Sequence, residues 1–293
     1  MSRLLEGLPP APVISDGAWG TQLQAQGLGP GECPDAWNLT HPDRVGSVAR
    51  AYVEAGSQVI LTNTFGANRL RLAAHGLGDQ AVEINQAGAR LSRAAAGDRA
   101  KVFASIGPTG KLLAMEETTE AELLAVFTEQ ARALAAEGVD ALLLETFGDL
   151  DEIRPAIAAA RATGLPVVAS LVFGSGPARD RTMMGTTPEQ AAAAVIAAGA
   201  DAVGANCGNG IGGYIPICRR LRAATDRPLW LKANAGLPEM VGGKAVYRTS
   251  PEYFAARTLE LIAAGATFVG GCCGTSPAFI SAIKRALQAA NPA

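Results

Sequence analysis

Ala264-Gly265-Ala266-Thr267-Phe268-Val269-Gly270-Gly271-Cys272-Cys273-Gly274-Thr275 sets three structural events side by side. Gly265 closes an alanine-rich helical segment, because glycine supplies the left-handed turn that ends a helix. Ala266 to Val269 then reads as a short apolar strand, and Cys272-Cys273 falls where that strand should end. The same figure occurs three times upstream, at Glu54-Ala55-Gly56-Ser57, Glu137-Gly138-Val139-Asp140 and Ala198-Gly199-Ala200-Asp201, each running into an apolar strand. Seven residues beyond Gly56, Gly138, Gly199 and Gly265 stand Asn63, Glu145, Asn206 and Cys272. A repeated helix–glycine–strand unit therefore delivers a polar residue to one rim four times over.

Four further strand candidates lie between these repeats: Val13 to Asp16, Val102 to Ile106, Pro166 to Leu171 and Pro228 to Ala233. Helical patterns separate the eight, at Pro42–Ala55, Gln80–Ala96, Glu120–Glu137, Leu150–Thr163, Pro188–Ala198, Tyr214–Ala224, Pro251–Ala263 and Pro277–Ala290. Thr187-Pro188, Ser250-Pro251 and Ser276-Pro277 are helix starts, with a capping hydroxyl and proline in the first turn. Eight strands alternating with eight helices predict an α/β chain folded as a single (β/α)8 TIM barrel over residues 1–293. Its active site should lie at the C-terminal rim of the strands, where the polar residues fall. Two strand-to-helix segments are long, Gly17–Thr40 and Gly107–Thr119, and are expected to be loops that shape access to that rim.

Composition narrows the function. The chain has 293 residues, 48% hydrophobic, with a net charge of −2 and no basic run, which argues against a nucleic-acid partner. Met1 to Pro12 carries no apolar core of signal-peptide length, and no run approaches a membrane span. Five cysteines, an odd number, do not suit a disulfide framework in a chain this long. The expectation is a reduced, cytoplasmic protein with no membrane or nucleic-acid partner.

Cys272-Cys273 and Cys207, in Asn206-Cys207-Gly208, follow two different strands. Three thiolates from two strand ends suit one zinc ion, or another thiophilic metal, whose fourth position is kept for a substrate. Neighbouring side chains on an extended strand point to opposite faces, so Gly270, Gly271 and Gly274 are needed to let the backbone leave strand geometry. Other readings of the same residues are small buried apolar cysteines, a strained vicinal disulfide, or a glycine-rich loop that cradles a phosphate. Only two histidines occur, His41 at a helix start and His75 in a polar loop, and neither suits a ligand or general base. Cys33 and Cys218 lie away from the strand ends and read as structural.

Glu145, after Ala141-Leu142-Leu143-Leu144, suits an anchor for a substrate ammonium group, or else an ion pair within the rim. Asp16 and Gly17 close the first strand, and the backbone amides of Ala18 to Thr21 could bind an anion, although Asp-Gly is also an ordinary turn. Asn63, Asn206 and Asn234 are rim positions for hydrogen bonds to substrate or for structural ones. Lys232 shares strand parity with Trp230 and Asn234, which opens a Schiff-base lyase reading.

The set Asp16-Gly17-Ala18-Trp19-Gly20-Thr21, Thr62-Asn63-Thr64-Phe65, Glu145-Thr146-Phe147, Asn206-Cys207-Gly208 and Gly270-Gly271-Cys272-Cys273-Gly274-Thr275 resembles the homocysteine S-methyltransferases, in order and over nearly the whole chain. That family includes the homocysteine-binding module of cobalamin-dependent methionine synthase and the betaine– and S-methylmethionine–homocysteine methyltransferases. The resemblance implies a barrel in which Cys207, Cys272 and Cys273 hold one zinc ion and act in catalysis. It implies that homocysteine sulfur takes the fourth position as a thiolate and is methylated to methionine. It also implies that Glu145 and the Asp16–Thr21 loop hold the amino acid end. Betaine users resemble one another in a tyrosine after the rim glutamate, where this chain has Thr146. The Gly107-Pro108-Thr109-Gly110 loop looks more like methionine synthase, so the expected donor is a corrinoid protein carrying methylcobalamin in trans, or a small onium compound. The non-enzymatic alternative is a zinc- or thiol-binding carrier module.

Overall fold

The computed structural model describes residues 3–242 and 244–290, so Met1 and Ser2 of the N-terminal stretch lie outside the described residues. Among the described residues ten strands occur in chain order: β1 (Val13–Ile14), β2 (Val59–Leu61), β3 (Lys101–Ile106), β4 (Ala141–Phe147), β5 (Val167–Leu171), β6 (Ala202–Cys207), β7 (Leu229–Ala233), β8 (Glu239–Val241), β9 (Lys244–Val246) and β10 (Phe268–Gly271). Eight of them form one parallel sheet in the order β1-β10-β7-β6-β5-β4-β3-β2, and β8 pairs with β9 in a separate antiparallel ribbon. The ends of the large sheet meet at the Ser15–Val59 bridge. Gln58 supplements that thin seam, donating its backbone N–H to Ile14 O at 2.7 Å and accepting Ile14 N–H on Oε1 at 2.8 Å. The expected (β/α)8 barrel is the observed architecture.

The eight surrounding helices are Pro42–Ala55, Ala81–Ala96, Glu120–Ala135, Leu150–Arg161, Pro188–Ala197, Ile211–Ala224, Pro251–Ala263 and Pro277–Ala290. Their starts follow the expected chemistry: Thr187 and Gln190 close a reciprocal capping box, and Ser250 Oγ accepts Tyr253 N–H. Gly56, Gly138, Gly199 and Gly265 all carry positive φ, between 69° and 109°. Two expectations need correction. β1 ends at Ile14 rather than Asp16, because Asp16 turns its carboxylate inward to accept Leu61 N–H at 2.7 Å. The Gly17–Thr40 segment is not all loop; it winds into short helices at Gly20–Ala25 and Trp37–Thr40.

Alternation along the strands splits the apolar residues into two layers. One face packs beneath the helices. The other fills the barrel with Val13, Val59, Leu61, Phe103, Leu143, Val168, Trp230 and Phe268. Trp230 sits 5.7 Å from Phe103 and 5.2 Å from Phe268, ring centre to ring centre. Gly204 makes room for it, since a Cβ there would lie 2.3 Å from Trp230 O. Each large side chain buried in this plug contributes about 1.5–3 kcal/mol. Two residues further along the same strands the inward positions become Ser105, Glu145, Ser170 and Lys232. There the barrel interior changes from plug to site.

Candidate active site

The sulfurs of Cys207, Cys272 and Cys273 lie within 4.8 Å of one another at the C-terminal mouth of the barrel, and all three thiols are free. Their convergence follows from local backbone geometry. Cys207 closes β6 with φ at 66°, a left-handed conformation that costs a non-glycine residue about 1–2 kcal/mol. Beyond β10 the chain turns at Cys272 and Cys273: Cys272 N–H donates to Ala233 O at 2.7 Å, and Ala235 N–H donates to Cys273 O at 2.9 Å. Both consecutive side chains can then face one point. Thr275 ties this turn to the first loop, its Oγ donating to Cys272 O at 2.8 Å and accepting Ala18 N–H at 3.1 Å.

The glycines are close-packed rather than merely permissive. A Cβ on Gly270 would meet Ser15 Oγ at 2.1 Å, and one on Gly274 would meet the Tyr247 ring at 2.2 Å. Tyr247 follows β9 and packs over the cysteine turn. Its pKa is pushed up to about 12 by burial, by the neighbouring sulfurs and by its hydrogen bond with Cys273. Hydrogen bonds with Cys272 and Cys273 hold Cys207 well below the usual thiol range, and the same contacts with Cys207 push the other two up.

This donor set fits zinc. Bonds of about 2.3 Å at tetrahedral angles place sulfurs roughly 3.8 Å apart, within the span of the cluster. The donors are three soft sulfurs, which select zinc over harder ions. Asn234 donates to Gly208 O at 3.0 Å and lies 3.6 Å from Cys207 Sγ, while its Oδ1 is buried with no hydrogen-bond partner.

A cavity of about 370 Å³ opens above the sulfurs, lined also by Glu145, Thr146, Trp19, Phe65 and Arg71. Glu145 is buried and accepts Ser105 Oγ at 2.5 Å. Burial raises its pKa, against the opposing pull of Lys232 and Ser105. Register slips between Leu144 and Phe147, a bulge that lets Glu145 and Thr146 both face the cavity. Asn206 clamps the bulge: Oδ1 accepts Thr146 N–H at 2.8 Å, and Nδ2 donates to Thr146 Oγ1 at 2.6 Å. Thr146 is thereby held at φ 65°.

The proposed substrate contacts separate into two groups. Gly17, Ala18, Thr21, Asn63 and Glu145 line the cavity, and Thr21 Oγ1 has no partner. Asp16, Asn206 and Asn234 lie behind its wall. Asp16 pairs with Lys232 and accepts Trp19 Nε1–H at 2.8 Å. Ala18 has its N–H engaged by Thr275, and Asn63 directs its amide to Pro34 O and Asn38 Oδ1. The residue patterns gave no indication of Ser105, Tyr247, Asp35 or Arg71. For Lys232, strand parity placed the side chain inside but not its partner.

A family model for homocysteine S-methyltransferases matches residues 13–287. The chain is 32% identical to methionine synthase of Mycobacterium tuberculosis over 303 residues, covering 97% of this chain and 25% of that protein. The Mycobacterium leprae methionine synthase is 31% identical over 307 residues. The chain thus spans about a quarter of these relatives. Among solved structures, the metallated homocysteine methyltransferase MmuM of Escherichia coli superposes with a TM-score of 0.80 at 24% identity, over 96% of this chain and 99% of that one. Among the described residues no helix is long and apolar enough to cross a membrane. The match over residues 13–287 establishes that this chain belongs to the homocysteine S-methyltransferase family.

Proposed function

We propose that the chain methylates the sulfur of homocysteine to give methionine, with one zinc ion held by Cys207, Cys272 and Cys273. The observation that carries this reading is the convergence of three sulfurs, within 4.8 Å of one another, below a cavity that also holds a carboxylate. Bound by these three sulfurs, zinc would supply a Lewis acid that stabilises a substrate thiol as its thiolate at neutral pH.

The protein's own groups position the acceptor. Glu145 takes the substrate ammonium, and Ser105 fixes one of its carboxylate oxygens. Gly17, Ala18 and Thr21 border the carboxylate end, with the Thr21 hydroxyl available as donor. Asp16 acts indirectly by fixing Trp19 and Lys232. Asn206 fixes the Thr146 bulge, and Asn234 donates toward Cys207. Tyr247 covers one side of the cysteine turn and limits water there. In the transfer, a carbon–sulfur bond forms at homocysteine while the donor's bond to the same methyl carbon breaks, its electron pair leaving with the donor. The donor is a methylated corrinoid protein or a small onium compound. A cytoplasmic setting belongs to this reading, since the thiols must stay reduced.

The Schiff-base alternative is poorly served. Burial works against the Lys232 charge, but Asp16 and Glu145 outweigh it and raise the pKa, whereas an amine nucleophile must be neutral. The test is turnover by zinc-loaded protein, with homocysteine and either methylcobalamin or an onium donor, for the parent and for Cys207→Ala. Methionine formed by the parent and lost in the variant supports the reading. Tight homocysteine binding without turnover for any donor assigns a carrier role instead.

A further inference from the structure

The regular pairing of β2 with β3 stops at Leu61 and Phe103. Two residues further along β3, Ser105 is buried, and an unpaired backbone group there would cost about 1–3 kcal/mol. Side chains take over where the ladder ends. Ser105 N–H donates to Thr62 Oγ1 at 3.0 Å, and Thr64 Oγ1 donates to Ser105 O at 2.7 Å. The two hydroxyls lie 2.5 Å apart. A hydroxyl carries one proton, and that of Thr64 is spent on Ser105 O, so Thr62 is the donor between them. The bonds close a ring, from Ser105 N–H through Thr62 and Thr64 back to Ser105 O. Each bond in such a chain polarises the next and strengthens it. The ring is also held from behind. Gln130, on the helix Glu120–Ala135, donates to Thr64 O at 2.9 Å and to Asn85 Oδ1 at 3.1 Å. A Cβ on Gly88 would lie 2.7 Å from the Thr64 methyl, so that side of Thr64 is packed while its hydroxyl faces Ser105. Among the described residues Glu145 takes a hydrogen bond from Ser105 alone, at 2.5 Å.

We propose that Thr62 and Thr64 are positioning residues for the acceptor: their hydroxyl ring fixes Ser105, and through it the carboxylate of Glu145 that meets the substrate ammonium. This inference rests on the methyltransferase reading above, and within it on Glu145 as the ammonium anchor. A binding group must be held to about half an ångström by neighbours whose own rotamers are locked. The ring supplies that hold with neutral groups, so it adds no charge beside Glu145. Threonine suits both positions, because its branched side chain is stiff and its hydroxyl both gives and accepts a hydrogen bond. Valine at either position keeps the shape and removes the hydroxyl, which opens the ring at Ser105. Serine keeps the hydroxyl and closes it.

The experiment measures, by calorimetry on zinc-loaded protein, the binding of homocysteine and of 4-mercaptobutyrate, which is homocysteine without its amino group. The proteins are the parent, Thr62→Val, Thr62→Ser, Thr64→Val and Ser105→Ala. Both valine variants are expected to bind homocysteine about three- to ten-fold more weakly, with 4-mercaptobutyrate affinity and zinc content unchanged. Thr62→Ser should bind both thiols as the parent does. Ser105→Ala leaves the ring closed and cuts only its link to Glu145, so the same selective loss is expected whether or not the valine variants fold. Equal weakening of both thiols would mark a merely structural role and overturn the proposal. So would parent-like preference for homocysteine in Ser105→Ala or in a folded valine variant. A parent that binds the two thiols equally would instead defeat the reading of Glu145 itself, before any variant is compared.

Discussion

Two layers of one barrel interior, two residues apart along the same strands, obey opposite rules. The lower layer is an apolar plug in which Phe103, Trp230 and Phe268 stack on one another, and the buried Nε1–H of Trp230 has no hydrogen-bond partner among the described residues. The upper layer replaces Phe103 by Ser105, Leu143 by Glu145 and Trp230 by Lys232, and every one of these buried groups is tied to another. The plug tolerates volume-conserving change because its attraction is non-directional. The charged layer does not, because any unpaired charge at that depth is costly. The proposed function places the chemistry in the upper layer and leaves stability to the lower one, and the comparison can be broken at several points.

The largest expected effect is chemical. Cys273→Ala should leave the fold intact, since it removes one small side chain from the rim, yet reduce methyl transfer by more than about a thousand-fold through loss of the metal. Circular dichroism and turnover together check this.

Next come the two layers themselves. Trp230→Ala should cost about 3–5 kcal/mol by opening a cavity, with homocysteine binding retained in the folded fraction. Lys232→Met should cost a similar amount, about 3–5 kcal/mol, for a different reason: it strands the Asp16 carboxylate. The double change Asp16→Asn/Lys232→Met, which removes the stranded charge but keeps an acceptor for Leu61 N–H and Trp19 Nε1–H, should then recover part of the loss, whereas no second polar-to-apolar change rescues Trp230→Ala. Denaturant titration of the set separates the two mechanisms, and additive losses in the Asp16/Lys232 pair would contradict the account.

A smaller effect lies at the outer wall of the cavity. Burial raises the Asp35 pKa from an ordinary 3.8 to about 6. The folded state therefore binds this proton more tightly than the unfolded chain does. The stabilisation is complete below about pH 4 and is lost as pH rises through about 6, by at most about 3 kcal/mol. Asp35→Asn, which keeps an acceptor for Gly66 N–H, should flatten that decline in thermal-melting curves between pH 4 and 7. Smallest is Glu145→Gln, expected to weaken homocysteine about ten-fold or somewhat more while leaving zinc content unchanged.

What could be read from the sequence divides along the same line. Helix starts at Pro42, Pro188, Pro251 and Pro277 fell where proline and capping hydroxyls placed them, because those signals are local. The four glycines that close helices and the polar residues seven positions on were legible for the same reason. So was the reading of Cys207 and Cys272-Cys273 as candidate ligands on one rim, since each lies at or just past a strand end. The bulge at Glu145 and Thr146 was not legible, because its cause is Asn206, sixty residues away. The inward turn of Asp16 shortens β1 for a similar reason, its partners being Leu61 and Lys232. Tyr247 over Gly274 and Arg71 over Phe65 depend on loop paths with no repeating pattern to betray them.

The most direct test of the central claim is the metal content of the protein purified under reducing conditions with zinc supplied, measured by mass spectrometry for the parent and for Cys272→Ala. The account predicts about one zinc per chain in the parent and little or none in the variant. A parent free of metal, or a variant that keeps its zinc, would contradict it.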